Sequence, residues 1–243
     1  MITADLIAQL ETRVPPVCSL PGDEPQFFGS AADLAREIDQ VSVLLDYYPG
    51  LPLPDPADLL VVHHPPKTLP SVPVYVLHSG WDIVPSGAAD ALADLFGLTN
   101  RTVLDKLTRI GRIGILPDGP VPLETFAGHA AELLGLSSLR IAGVAGDSPA
   151  VETLAVVSGF GLNPSLIRKA SDRGADVYLS GDLTHPGAIL AHTLRLPVLD
   201  ATHHATELPG LYRLCDLITS CGVPAEVYDT GIPWEERMYH DNY

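Results

Sequence analysis

Lysine is nearly absent from this chain, with three residues among 243. Eleven arginines lie scattered from Arg13 to Arg237, and against 30 acidic residues they leave a formal net charge of −16. A field of that sign repels a phosphate backbone unless a local basic patch overrides it. The arginines are never denser than Arg109 and Arg112, which make no such patch, so nucleic acid is not an expected partner. Cysteine is scarce as well. Cys18, Cys215 and Cys221 form an odd set without a C-x-x-C pair, which excludes a disulfide framework and a zinc ribbon and points to a reducing compartment. No apolar run approaches the ~20 residues needed to cross a bilayer, and Met1-Ile2-Thr3-Ala4-Asp5 has no basic leading region. No membrane association is expected, and the expected location is cytoplasmic.

What is present is a globular composition. With 46% hydrophobic and 18% charged residues, the chain can bury a sizeable core as one large domain or two small ones. Nine histidines against three lysines direct attention to imidazole chemistry.

Hydrophobic periodicity predicts a helix from Ala4 to about Arg13, capped by Thr3 and ended by Pro15-Pro16, then a loop over 17–30 and a short helix over 31–38. Strands are predicted at 41–45, 59–62 and 72–77, with the Pro49–Pro56 stretch too rich in proline for helix or central strand. Ser86 is the expected cap of a helix over 87–96, closed by Gly97. Further strands are predicted near 113–116, 139–144, 153–157, 177–179, 198–200 and 225–228. Between them fall helices near 123–134, from Asn163-Pro164 to Gly174, near 186–194 and from about Glu207 to Ser220. Strands alternating with helices argue α/β with mixed sheets.

An imperfect repetition runs through this pattern. Ala57-Asp58-Leu59-Leu60-Val61-Val62 is echoed by Ala175-Asp176-Val177-Tyr178-Leu179-Ser180, and Val72-Pro73-Val74-Tyr75-Val76 by Leu196-Pro197-Val198-Leu199. Each second strand runs into a histidine with a carboxylate four residues on, His78 to Asp82 and His203 to Glu207. The shared order favours duplication over chance. The expected architecture is two similar αβ halves, residues 1–120 and 121–243, packed as one compact unit with a metal site in the cleft between them.

His63 and His64 end a strand at Pro65-Pro66. Residues in a strand interior point to opposite faces, but at a strand's carboxyl end, where α/β sheets place ligands, adjacent histidines can reach two different ions. Taken alone, such a pair reads more often as turn histidines. His203 and Glu207 stack about 6 Å apart on one helix face, as a solvated pair or as metal ligands. Asp82 follows a strand end, and a carboxylate there either caps a turn or bridges two ions roughly 3.5–4 Å apart. That all these residues leave different strands at the same kind of position favours metal. Ser158-Gly159-Phe160-Gly161 reads either as a plain turn or as an anion-binding nest. His78 either lines the pocket or is a satisfied strand-end histidine, His204 is expected to point away from His203, and Cys215 to lie in the core.

D-L-L-V-V-H-H-P-P, V-Y-V-L-H-S-G-W-D, A-D-V-Y-L-S-G-D-L and L-P-V-L-D-A-T-H-H-A-T-E resemble, in order, the motifs of the NIF-three-like family (NGG-one-interacting factor three), whose members include GTP cyclohydrolase I type two homologues. The resemblance covers about Asp58 to Gly222, leaving residues 1–56 divergent, and this chain resembles the short form. It implies a dinuclear metal centre held by His63, His64, Asp82, His203 and Glu207. Three imidazoles and two carboxylates suit two divalent ions drawn from Zn, Fe, Mn or Co. The resemblance further implies a homohexameric toroid and a metal-dependent hydrolase acting on a nucleotide or related small molecule, with GTP ring opening and formate release as the specific reaction. The alternative it carries is a non-catalytic metal-binding regulatory protein that contacts other proteins. Two motifs depart from the family pattern: Asp39-Gln40 and Leu45-Asp46 stand where D-N-x-G-L is usual, and Gly181-Asp182-Leu183-Thr184-His185-Pro186 ends in proline. His185 is the candidate proton carrier, with a structural role beside the metal as the alternative.

Overall fold

The computed structural model describes residues 1–55, 57–144 and 149–235. In chain order the elements are α1 (Thr3–Arg13), β1 (Gln26–Phe28), α2 (Ala31–Leu34), β2 (Val41–Leu44), β3 (Leu59–Val62), β4 (Val74–Val76), α3 (Ser79–Ile83), α4 (Ala88–Leu95), β5 (Thr99–Val103) and β6 (Arg112–Ile115). They continue with β7 (Val121–Pro122), α5 (Leu123–Leu133), β8 (Arg140–Ala142), β9 (Ala150–Val151), β10 (Thr153–Phe160), α6 (Pro164–Asp172), β11 (Val177–Gly181), α7 (His185–Leu194), β12 (Val198–Asp200), α8 (His203–Ser220) and β13 (Ala225–Val227).

Two mixed sheets carry the architecture, in the orders β1-β4-β3-β2-β13 and β5-β6-β10-β11-β12-β8, and β7 pairs with β9 in a small ribbon. In the first, β13, β2, β3 and β4 are parallel and β1 runs antiparallel at the edge. In the second, β10, β11 and β12 are parallel and β8 runs antiparallel beyond β12. The repetition in the sequence is thus a repetition of topology. Each half supplies an antiparallel edge strand and then three parallel strands, and β3 and β4 correspond to β11 and β12.

Residue 120 does not separate the sheets. The hairpin β5–β6 pairs with β10, and β13 returns from the end of the described chain to pair with β2. Each sheet completes the flank of its parallel core with a strand from the other side of that boundary. Helices α4 and α8 cross closely between the sheets, and α8 touches β2 and β13 on one side and β10 and β11 on the other. The crossing depends on Gly210, where a Cβ would stand 2.5 Å from the Cβ of Ala88. Leu211, Leu214 and Ile218 of α8 join Leu6 and Leu10 of α1 over the first sheet, whereas α6 and α7 cover the outer face of the second.

Several local expectations shift. Thr3 is not a cap but the buried first residue of α1, its hydroxyl donating to Arg36 O at 3.2 Å. Gln26–Phe28, expected as loop, is the edge strand β1. The helix expected over 31–38 is the single turn α2, and of the proline-rich stretch Pro56 lies outside the described residues. Ser86 does not cap α4; it sits at φ 64°, and its N–H donates to Asp90 at 2.8 Å. Asn163 does cap α6, accepting from Ser165 and Leu166 N–H at 3.1 and 3.2 Å. Cys215 is buried in the core as expected, and burial pushes its thiol pKa up to about 12.

Arg112 on β6 is buried and grips Asp90 of α4 through two nitrogens, Nε at 2.7 Å and Nη2 at 2.9 Å. Burial alone would raise the Asp90 pKa, but the guanidinium holds it below the ordinary 3.8. The folded-state value is therefore the lower one, so this contribution to stability is complete above the unfolded value and is lost as the pH falls through the folded one. Asp90→Ala, which strands a buried guanidinium, is expected to cost about 3 kcal/mol in urea unfolding at pH 7. The difference from wild type should shrink below pH 3.8; a difference unchanged in acid would remove the ion pair from this role.

Candidate metal centre

The carboxyl ends of the parallel strands of both sheets face one another, and His63, His64, His78, Asp82, His203 and Glu207 arrive there. His63 and His64 follow β3 directly. Their N–H groups extend the ladder with β2, donating to Leu44 O at 2.9 Å and Leu45 O at 3.0 Å. The pair is therefore held in register by the sheet even though Pro65 ends the strand. After β4 the chain turns at His78 into α3, which carries Asp82. After β12 it turns into α8, which opens with His203 and carries Glu207 one turn later. His78 and Asp82 thus occupy in the first half the topological place of His203 and Glu207 in the second.

The imidazoles share one orientation. His63 Nδ1 lies 3.1 Å from Leu77 O, His64 Nδ1 2.9 Å from Asp46, His203 Nδ1 2.6 Å from Asp182 and His78 Nδ1 2.9 Å from Asp23. A carbonyl accepts only, which fixes the proton of His63 on Nδ1. Carboxylates do the same for the others, leaving the Nε2 atoms of His63, His64 and His203 to face the cleft. There His64 Nε2 and His203 Nε2 stand 3.2 Å apart, both within 3.3 Å of Glu207 Oε2. His63 Nε2 stands 3.4 Å from Asp82 Oδ1 and 3.6 Å from Glu207 Oε1.

This geometry concentrates electron pairs. His63 Nε2, Asp82 Oδ1 and Glu207 Oε2 are buried without a hydrogen-bond partner, a cost proteins seldom leave uncompensated. Burial disfavours charge on every member, yet at all but Asp82 the partners prevail. The carboxylates of Asp46 and Glu207 lift His64 to about 10, and those of Glu207 and Asp182 lift His203 to about 9. Against its burial, His63 first, and then His203 and His64, hold Glu207 well below the carboxylate range. At Asp82 burial dominates and raises the pKa, with Glu207 adding repulsion against the opposing pull of His63. The cluster calls for positive charge, and protons and divalent ions are the competitors for it.

The donor set suits ions. His64, His203 and Glu207 bring one ligand atom each within 4.8 Å of one another, as do His63, Asp82 and Glu207, and also His63, His64 and His78. Glu207 belongs to two sets through its two oxygens, so it is the carboxylate placed to be shared, whereas Asp82 serves one. His78, left open in sequence, lies edge-on to His63 and His64 with ring centroids 5.1 and 5.3 Å away. His204 turns outward to Asp229 at 2.7 Å. His185 is exposed on the first turn of α7 and does not line the cavity over the cluster. Sequence reasoning passed over the anchoring roles of Asp23, Asp46 and Asp182. The signal for the last two lay in the departing motifs: Asp46 in the N-terminal one, and Asp182 in the Gly-Asp pair after β11.

The segment 158–161, read as either a plain turn or an anion-binding nest, is neither over its first three residues. Ser158, Gly159 and Phe160 finish β10, and the Gly159 N–H is taken by the Thr206 hydroxyl at 3.0 Å. Gly159, at φ 71°, is the floor of the cluster: a Cβ there would stand 2.1 Å from Glu207 Oε1 and 3.0 Å from His203 Nε2. The cavity above the cluster measures about 420 Å³, with Leu20, Ile110, Val157 and Phe160 among its apolar walls.

Residues 67–230 match the family described as Duf34/NIF3 (NGG1p interacting factor 3). The "GTP cyclohydrolase 1 type 2 homolog" of Methanothermobacter thermautotrophicus is 43% identical over 237 residues, 97% of this chain and 96% of the relative. Among solved structures, reduced HcgD from Methanocaldococcus jannaschii superposes with a TM-score of 0.75 at 29% identity, over 96% of this chain and 98% of that one. Staphylococcus aureus protein SA1388 superposes with a TM-score of 0.81 over 98% and 99%; at 18% identity this shows the fold.

Gly159→Ala is expected to displace Glu207 and His203 and to lower divalent-metal uptake at least about tenfold. Far-ultraviolet circular dichroism should stay that of the wild type. Wild-type uptake by this variant would mean that the cluster is looser than its distances state.

Proposed function

The chain belongs to the Duf34/NIF3 family, and we propose that it is a dinuclear-metal-dependent hydrolase of a nucleotide or related small molecule. The observation that carries this reading is the convergence of three anchored imidazoles with the buried Glu207 and half-buried Asp82 carboxylates at a cavity of about 420 Å³, a size typical of small-ligand sites. His64, His203 and Glu207 would hold one ion and His63, Asp82 and Glu207 the other, with His78 beside the pair. Ions bound there would supply Lewis acidity and activate water near neutral pH. Zn, Fe, Mn and Co all suit such nitrogen and oxygen donors.

The chain's own residues do the rest. Leu77 O, Asp46 and Asp182 fix the tautomers and aim the rings. The apolar walls exclude water and fit the face of a heteroaromatic ring. No lysine or arginine is among the described residues lining the cavity, so a triphosphate would meet no lysine or arginine of the described residues there. That favours recognition of the base over recognition of the phosphates. Ring opening of GTP, suggested by the name of the Methanothermobacter relative, fits a reaction at the base. Self-association into a homohexameric toroid belongs to the same proposal. The exposed position of His185 favours the second reading, a non-catalytic metal-binding protein, because the expected proton carrier is away from the cavity.

Turnover separates the two. Protein reconstituted with each of Zn, Fe, Mn and Co is to be incubated with GTP, its free base and a panel of phosphoesters. The hydrolase reading predicts turnover of at least one, lost about 100-fold or more in Asp82→Ala; full metal loading without turnover supports the binding-protein reading. Adjacent histidines give a second check. His203→Ala is expected to lose metal and His204→Ala to keep it, because only the first faces Glu207. Equal loss from both would displace the site.

A further inference from the structure

Asp200, the last residue of β12, takes no part in the cluster and is 3% exposed. Its two carboxylate oxygens tie together the two loops that carry His203 and its anchor. Oδ1 accepts from Thr202 N–H at 3.1 Å, and Oδ2 accepts from Leu183 N–H at 3.1 Å. The Arg140 guanidinium, itself largely exposed, also pairs with Oδ2. Leu183 follows Asp182, and Thr202 precedes His203.

Both loops hold a non-glycine residue in the left-handed half of backbone space, Asp182 at φ 58° and Thr202 at φ 63°. Thr202 is the more strained. With ψ 151° it occupies a region that is essentially the preserve of glycine, and it is β-branched. Such a conformation persists only where its surroundings over-determine it. Here the Asp200 bond holds the entry to Thr202, and the Thr202 hydroxyl accepts from Ala205 N–H at 3.2 Å on the exit side. The result decides where α8 begins. It makes His203 the first helical residue, brings its Nδ1 to Asp182 at 2.6 Å, and sets Glu207 one turn on. The end of β11 leaves no slack, since a Cβ at Gly181 would stand 2.5 Å from His203 N.

We infer that Asp200 is a positioning residue for the cluster: by accepting the Leu183 and Thr202 amides it holds the strained Thr202 backbone that aims His203 at Glu207. The inference rests on the metal reading only for its affinity readout. It differs from a general structural role in that relieving the strain at Thr202 should compensate for losing Asp200.

The variant Asp200→Asn keeps the volume but turns an N–H2 group toward one of the two amides. With Zn(II) as the probe and a chromophoric chelator as competitor, the wild type is expected to bind two ions. Asp200→Asn should lose about 10–100-fold in affinity for one ion, as removal of an outer support commonly does, and keep the other within about threefold. Adding Thr202→Gly removes the strain while a glycine cap costs little, so Asp200→Asn/Thr202→Gly should regain at least about threefold. Arg140→Gln, which leaves both amide bonds in place, should bind as the wild type does. A second readout needs no metal: the exchange-protected His203 Nδ1–H proton resonance should be present in the metal-free wild type, broaden in Asp200→Asn and return in the double variant. Wild-type affinity and resonance in Asp200→Asn, or no recovery on adding Thr202→Gly, would overturn the inference, as would equal losses in Arg140→Gln. If the wild type bound no Zn(II), the metal reading would fail, and the resonance alone would decide the role of Asp200.

Discussion

Glu207 carries a carboxylate to a position 4% exposed, where an ionised group costs several kcal/mol unless it is matched by opposite charge and hydrogen bonds. Everything about the site follows from meeting that demand. The helix bearing Glu207 is wedged between two sheets, so the side chain cannot swing to water. The groups within reach are imidazoles whose outward nitrogens are already committed to other acceptors. Their inward nitrogens can bring positive charge to Glu207 only with a proton or an ion. A centre built this way is suited to cations because it has been stripped of alternatives.

The second constraint is the repeat. Each half places a histidine just after its third parallel strand and a carboxylate four residues on, and the two copies meet with opposite outcomes. In the first half α3 is a single short helix, and His78 is drawn aside to Asp23 while Asp82 reaches His63. In the second, α8 is long and central, and both His203 and Glu207 point inward. The exchange of β13 and of the β5–β6 hairpin between the sheets locks the halves in this facing arrangement. The distances across the cleft are thus set by strand pairing rather than by loops.

Much of this was legible in the sequence, for physical reasons that can be named. Val41–Leu44, Leu59–Val62 and Val198–Asp200 are short, apolar, fully buried strands, and each runs into polar residues at its carboxyl end, so strands and ligand positions announce themselves together. Edge elements did not. Thr99–Val103 is mostly exposed and Gln26–Phe28 only three residues long, so neither shows a clear alternation, and the strand exchange between the halves stayed hidden with them. Asp23, Asp46 and Asp182 lie in loops, where a carboxylate carries no periodic signal, and what they anchor is set by tertiary distance. His185 misled because a motif gives a residue's neighbourhood in the chain but not its facing: as the first residue of α7 it projects outward, while Asp182, three residues earlier, reaches His203. Thr202 gave no warning either, since a β-branched residue is the last choice for its backbone conformation.

A two-ion centre in this cluster, with Glu207 shared between the ions, would leave a direct signature in diffraction. Anomalous diffraction at the zinc edge, from crystals of the protein reconstituted with Zn(II), tests it most directly. Two peaks are expected, roughly 3.5–4 Å apart, one among His64, His203 and Glu207 and the other among His63, Asp82 and Glu207. A single peak in the cleft, or peaks only at surface carboxylates, would contradict it.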